Sequence, residues 1–111
     1  MPFEFGDVIL VPFPFSDQIG SKRRPAVVVS GRTYNTERPD LIMMAVTSQL
    51  RPSLSLGEVW IGEWHQAGLI KPSAIKPVFA TIEQRLVIRR LGTLRDVDQT
   101  ALKGAIQEVI G

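Results

Sequence analysis

"RPAVVVS", Arg24 to Ser30, is the stretch from which the fold is read. Its three contiguous valines are β-branched, the composition of a short buried strand. Pro25 stands at the strand's start, where a missing N–H is tolerated. The residue before a proline is driven out of helical space into extended backbone. Arg24 is therefore mounted at the lip of a strand, held more stiffly than Lys22 and Arg23 on the loop before it.

Toward the N-terminus, "GDVILVPFPF" (Gly6–Phe15) centres on a second β-branched apolar run, Val8 to Val11, whose end or edge is marked by Pro12 and Pro14. "SDQIGSK" between the two strands has turn chemistry at Ser16, Asp17 and Gly20. Toward the C-terminus, "GRTYNTERPD" predicts a polar loop. "LIMMAVTSQ" predicts a third strand, apolar enough to be buried on both faces. "EVWIGEWH" predicts a fourth, with Trp60, Gly62 and Trp64 on one side by period two. "IKPSAIKPV" is extended and bounded by prolines. "FATIEQRLVIRRLG" holds at least one short strand or helical turn.

The last element has a different period. Val97, Ala101, Leu102, Ala105, Ile106, Val109 and Ile110 form one helical stripe. Asp96 is the expected N-cap, Asp98 suits the first turn, and Gly111 is a natural stop. The helix spans about 14 residues, ~21 Å, and must lay its stripe on the sheet. The fold class is mainly β with a C-terminal helix.

The 111 residues fit a single domain, 1–111, able to build a core without metal or disulfide support. No cysteine is present, which removes disulfides, zinc thiolates and cysteine nucleophiles. The apolar runs fall far short of the ~20 residues of a membrane helix. A soluble cytoplasmic protein, not bound to membrane, is expected. The formal net charge of +2 names no partner. Its distribution says more, with one cluster at Lys22–Arg24 and a looser one at Arg85, Arg89, Arg90 and Arg95.

Two stretches carry chemistry. Before Pro25, Arg24 offers a positioned planar fork suited to phosphate, and Lys22 and Arg23 offer mobile charge suited to a polyanion. The same residues also read as a basic loop with a salt-bridged arginine. "AVTSQ" ends an apolar strand in Thr47, Ser48 and Gln49, which can orient a ligand or simply make a turn.

These stretches, in this order and spacing, resemble the MazF/PemK family of toxin endoribonucleases. The resemblance begins with "GDVILVPFPFSDQIGSKRRPAVVVS", passes through "AVTSQ", and resumes at "AGLIKPSAIKP", "TIEQRLVIRRLGTL" and the closing helix. It implies a small SH3-like barrel of the CcdB/PemK toxin type, paired as a homodimer and inhibited by a cognate antitoxin. The implied activity is metal-independent cleavage of single-stranded RNA, with the 2′-hydroxyl attacking the neighbouring phosphate and no cofactor. The family's arginine and threonine fall on Arg24 and Thr47, the implied catalytic pair. Lys22, Arg23, Ser48, Gln49 and Arg85 are the expected RNA contacts, with the Ser16–Arg23 loop as a flap. His65, Asp17 and Glu83 are further candidates for proton transfer. The aspartate that some family members carry after the "KPS" block has no counterpart before Glu83. Two rival functions are a CcdB-like toxin that binds a protein target and an RNA-binding barrel without activity.

Overall fold

The computed structural model describes residues 3–12, 23–52 and 55–111. Lys22, Asp17 and most of the Ser16–Arg23 loop, singled out in the sequence, lie outside the described residues. Six described strands form one antiparallel sheet: β1 (Asp7–Pro12), β2 (Arg23–Val28), β3 (Asp40–Thr47), β4 (Val59–Trp60), β5 (Ala74–Glu83) and β6 (Arg89–Thr93). Their order across the sheet is β4-β5-β3-β2-β1-β6. Helix α1 (Arg32–Glu37) lies between β2 and β3, and α2 (Asp96–Ile110) closes the chain. The mainly β sheet with a C-terminal helix is the fold expected of the sequence.

Strand alternation explains why the core strands read as apolar throughout. Val8, Val27, Met44 and Val46 point to one core, which α2 covers with Leu102 and Ala105. Their neighbours Ile9, Val11, Ala26, Val28 and Met43 point to a second core on the opposite face. With both faces buried, no polar position is left inside the run. Between Met44 and Val46 the β3–β5 register slips, so that Lys76, Pro77 and Val78 bulge out opposite Ala45. Pro77 cannot donate a ladder bond, and a bulge is where a strand tolerates that loss.

Three local expectations change and a fourth is met in both of its forms. The polar "GRTYNTERPD" contains α1 because amides and hydroxyls, not apolar residues, anchor it. Buried Asn35 donates to the carbonyls of Phe3 at 2.8 Å and Ser30 at 3.0 Å, while Gln84 Nε2 donates to the carbonyl of Asn35 at 2.7 Å. The fourth strand is only Val59–Trp60. The chain then leaves the sheet in turns over residues 62–68, so Trp60, Gly62 and Trp64 share no strand face. Trp60 is 45% exposed, whereas Trp64 packs against the core. "FATIEQRLVIRRLG" holds both options at once: the end of β5, a 3₁₀ turn at Gln84–Leu86 and β6. Helix α2 begins one residue earlier than expected, with Arg95 as N-cap and Asp96 in the first turn. Gly111 caps its end as expected. The helical stripe is only half used, since Val97 and Ile110 stay 64% and 66% exposed.

Asp98 does more than favour a first turn. It is buried, and its two carboxylate oxygens accept the N–H groups of Gly62 and Glu63, each at 2.9 Å. Helix α2 thereby fixes the start of the 62–68 turns. Their end is fixed by close backbone approach. Gly68 has φ +88°, and a Cβ there would sit 2.0 Å from the carbonyl oxygen of Leu91 on β6. The segment that leaves this clamp is Leu69 to Ser73.

Candidate functional site

The β2–β3 ladder pairs Ala26 with Ala45 in antiparallel register. Two residues further along each strand stand Arg24 and Thr47. Their approach is thus set by strand pairing, and both side chains line one cavity of about 290 Å³. Its other walls are Pro25, Val46, Ser48 and Gln49 from the same strand ends, and Leu69, Ile70, Lys71 and Ser73 from the clamped segment. Among the described residues no carboxylate and no histidine lines it. Larger hollows lie elsewhere, one of about 600 Å³ between β4 and α2 and one of about 390 Å³ at Pro12, Met43 and Leu86. Both carry carboxylates and no cation among the described residues, and a third, of about 470 Å³, sets Arg95 beside Asp96, so size does not mark the chemistry here.

The Thr47 hydroxyl has a defined polarity. Its Oγ1 accepts the backbone N–H of Gln49 at 3.1 Å. One acceptor lone pair is engaged, and the hydroxyl hydrogen is left to donate. Arg24 is exposed at the β2 end, opposite Val11 of β1. Ser73 is buried and donates from Oγ to the carbonyl of Lys71 at 2.9 Å, while its own carbonyl accepts the N–H of Ile61 at 3.0 Å. The backbone that carries Lys71 is therefore pinned from both directions.

A small adjoining cavity of about 30 Å³ shares Thr47 and Gln49 and is otherwise lined by Leu50, Arg51, Glu58, Trp60, Ala74 and Lys76. Glu58 organises it. Oε1 accepts the N–H of Ser55 at 3.0 Å and Oε2 accepts Arg51 Nη2 at 2.6 Å. The Ser55 N–H holds the carboxyl below the usual range for a glutamate; burial opposes this, and Arg51 adds to it, followed by Lys76. Glu58 is thereby kept as an anion that anchors the loop leaving β3.

Of the residues singled out in the sequence, Arg24, Thr47, Ser48 and Gln49 come together in one cavity. Arg23 is exposed beside them on β2. Arg85 is not brought there: it is exposed on the 3₁₀ turn, with its Nε bonded to Glu83 at 2.6 Å. Glu83 lines the separate hollow near Pro12. His65 stands edge-on to Trp64 in the 62–68 turns, with ring centroids 5.8 Å apart, and does not line the cavity. Sequence reasoning missed Lys71 and Ser73. Lys71 stands before Pro72 just as Arg24 stands before Pro25, but three other cations also precede prolines, so this signal alone did not single it out.

Comparison with solved structures gives the same fold. An endoribonuclease in complex with its cognate antitoxin, from Mycobacterial species, superposes with a TM-score of 0.78 at 16% identity, covering 97% of this chain and 94% of that one. A MazE–MazF structure from Deinococcus radiodurans gives 0.78 at 20% identity, covering 100% and 98%. The Mycobacterium tuberculosis toxin MazF-mt6 gives 0.76 at 19% identity, covering 94% and 95%. No curated protein matches the sequence. The family described as PemK-like, MazF-like toxin of type II toxin-antitoxin system matches residues 4–110. With that match over almost its whole length, this chain belongs to the PemK-like, MazF-like toxins of type II toxin–antitoxin systems.

Proposed function

We propose that this toxin is an endoribonuclease that cuts single-stranded RNA by attack of a 2′-hydroxyl on the adjacent phosphate. The products are a 2′,3′-cyclic phosphate and a free 5′-hydroxyl. The nucleophile belongs to the substrate, so the protein's task is to hold the phosphate and neutralise the charge that builds on its oxygens. Arg24 does this with its guanidinium fork, and Thr47 donates its hydroxyl hydrogen to the same phosphate. One observation carries the reading. The strand-end arginine and a threonine whose hydroxyl is oriented by Gln49 line the same cavity. Ser48, Gln49, Arg23 and Lys22 are assigned to the flanking RNA.

The family membership supports a cognate antitoxin as the inhibiting partner. A homodimer fits the apolar side chains left exposed at Trp60, Val97 and Ile110, and sedimentation at micromolar concentration tests it. The catalytic claim is tested by incubating single-stranded RNA with the protein in excess chelator and identifying the new ends. Arg24→Ala slows cleavage by roughly 10²–10³-fold, the cost of losing one oxyanion donor. Thr47→Val slows it by about 10-fold or more, and Thr47→Ser restores most of the rate. Wild-type rates in Arg24→Ala, or products ending in a 3′-hydroxyl, refute the mechanism.

A further inference from the structure

The geometry points to Lys71 as the general acid that protonates the leaving 5′-oxygen. This inference rests on the nuclease reading above and adds the proton donor that it lacks. Cleavage requires the P–O5′ bond to break with its electron pair going to O5′. An alkoxide leaves poorly, so a proton delivered in the transition state is worth ~10²–10⁴ in rate. The donor has to face the phosphate and be able to release a proton.

The cavity narrows the choice. Arg24 faces it, but a guanidinium keeps its proton in proteins. The hydroxyls of Thr47, Ser48 and Ser73 and the amide of Gln49 are weaker acids than an ammonium. Among the described residues that line the cavity, Lys71 alone is both cationic and able to give up its proton. It forms no ion pair with a carboxylate among the described residues. His65 and Glu83, the other described candidates, lie outside the cavity.

The mounting is that of a working group. Pro72 confines Lys71 to extended backbone, as Pro25 does for Arg24. The Ser73 hydroxyl holds the Lys71 carbonyl at 2.9 Å. The segment enters the site from a turn clamped by Asp98 and by the Gly68–Leu91 contact. Such anchoring lets a flexible side chain deliver its proton from a fixed origin.

The step balances. The 2′-oxygen releases its proton to solvent water and bonds to phosphorus. The P–O5′ bond breaks, O5′ takes a proton from the Lys71 ammonium, and the neutral amine recovers a proton from solvent. Arg24 stays protonated throughout and stabilises the phosphoryl oxygens.

The test replaces the bridging 5′-oxygen by sulfur in an RNA oligonucleotide whose cut position has been mapped with the wild-type protein. A thiolate leaves without a proton, so the sulfur substrate has no need of an acid. Lys71→Arg keeps the charge and removes the acid. It cuts ordinary RNA roughly 10²-fold more slowly than wild type and cuts the sulfur-bridged RNA at close to the wild-type rate. Arg24→Ala is slow on both substrates. Equal losses on both substrates in Lys71→Arg, or wild-type cutting of ordinary RNA by that variant, overturn the role of Lys71 alone. A wild-type protein that cuts no RNA in the mapping step overturns the nuclease reading and the acid with it.

Discussion

Gly68→Ala tests whether the clamp behind the cavity wall is what holds it. At φ +88° an L-residue is strained by about 1–2 kcal/mol. The added Cβ would also lie 2.0 Å from the Leu91 carbonyl oxygen and 2.5 Å from its carbon. Both are backbone atoms of a paired strand, so no side-chain rotation relieves the overlap, and overpacking of this kind costs a further ~1–3 kcal/mol. The expected loss is about 2–5 kcal/mol, a large share of the 5–15 kcal/mol that holds a typical domain together. For a chain of 111 residues that lowers Tm by roughly 8–20 °C. Gly104→Ala is the matched control. It lies within α2, where a Cβ meets nothing within 4 Å, so the same substitution raises stability by about 0.5–1 kcal/mol. Far-UV circular dichroism during heating, with urea unfolding at 25 °C as a second measure, reads both. Because Gly68 directly precedes Leu69–Lys71, RNA cleavage by the folded fraction of Gly68→Ala also falls, whereas Gly104→Ala cleaves normally. A Gly68→Ala protein with a Tm within about 3 °C of wild type would show that the turn yields freely, and the clamp argument would be lost.

Three other substitutions probe the frame and the RNA track. Asp98→Ala strands the N–H groups of Gly62 and Glu63; both residues are partly solvated, so the expected cost is about 2–3 kcal/mol, read from the urea midpoint at unchanged slope. Glu58→Gln tests the anion beside Thr47. The folded-state pKa of Glu58 lies below its ordinary value of 4.5, so its stabilisation is complete above that value and disappears as pH falls through the folded-state pKa. Wild type therefore exceeds Glu58→Gln in stability at pH 7, and the two converge in acid; a gap that persists unchanged at pH 2 refutes the electrostatic account. Lys76→Ala removes one cation from the cavity adjoining Thr47, weakening RNA binding and flattening the slope of log affinity against log salt by about 0.7, with the rate at saturating RNA little changed.

The sequence made β1, β2 and β3 legible because their apolar runs are longer than any turn requires, and it made α2 legible because its stripe has a single period; β6, with the sequence RRLGT, offers no such run. It could not reveal α1, whose anchors Ser30, Asn35 and Gln84 are polar and find one another only after β2, β3 and the 3₁₀ turn are in place. It also overextended the fourth strand. "EVWIGEWH" has strand composition, but the carboxylate of Asp98, 35 residues beyond Glu63, takes the Glu63 N–H and bends the chain away from the sheet. Arg24 and Thr47 were each legible at the end of a recognisable strand, but only the family resemblance joined them as a pair, and the β2–β3 register is what brings them together. Lys71 was not legible, because its route to the cavity runs through a turn that the local sequence does not specify.

One local pattern does run through all of these positions. Five of the eight prolines follow a cation: Arg24, Arg38, Arg51, Lys71 and Lys76. Each dipeptide gives the same stiff, extended mount, so sequence alone ranks them equally. The fold divides them. Arg38 binds Asp40 at 3.0 Å and Arg51 binds Glu58 at 2.6 Å, leaving both neutralised by carboxylates. Arg24 and Lys71 form no ion pair with a carboxylate among the described residues; Lys76 forms none either, but its charge helps to hold the nearby Glu58 carboxyl down. All three line the two adjoining cavities that share Thr47 and Gln49. A stiffly mounted cation with no bound carboxylate is free to take an arriving anion, and a polyphosphate chain supplies one at each nucleotide. Under the nuclease proposal, Arg24 and Lys71, with Lys76 shared with Glu58, mark the expected path of RNA across the end of β3, with Thr47 common to both cavities.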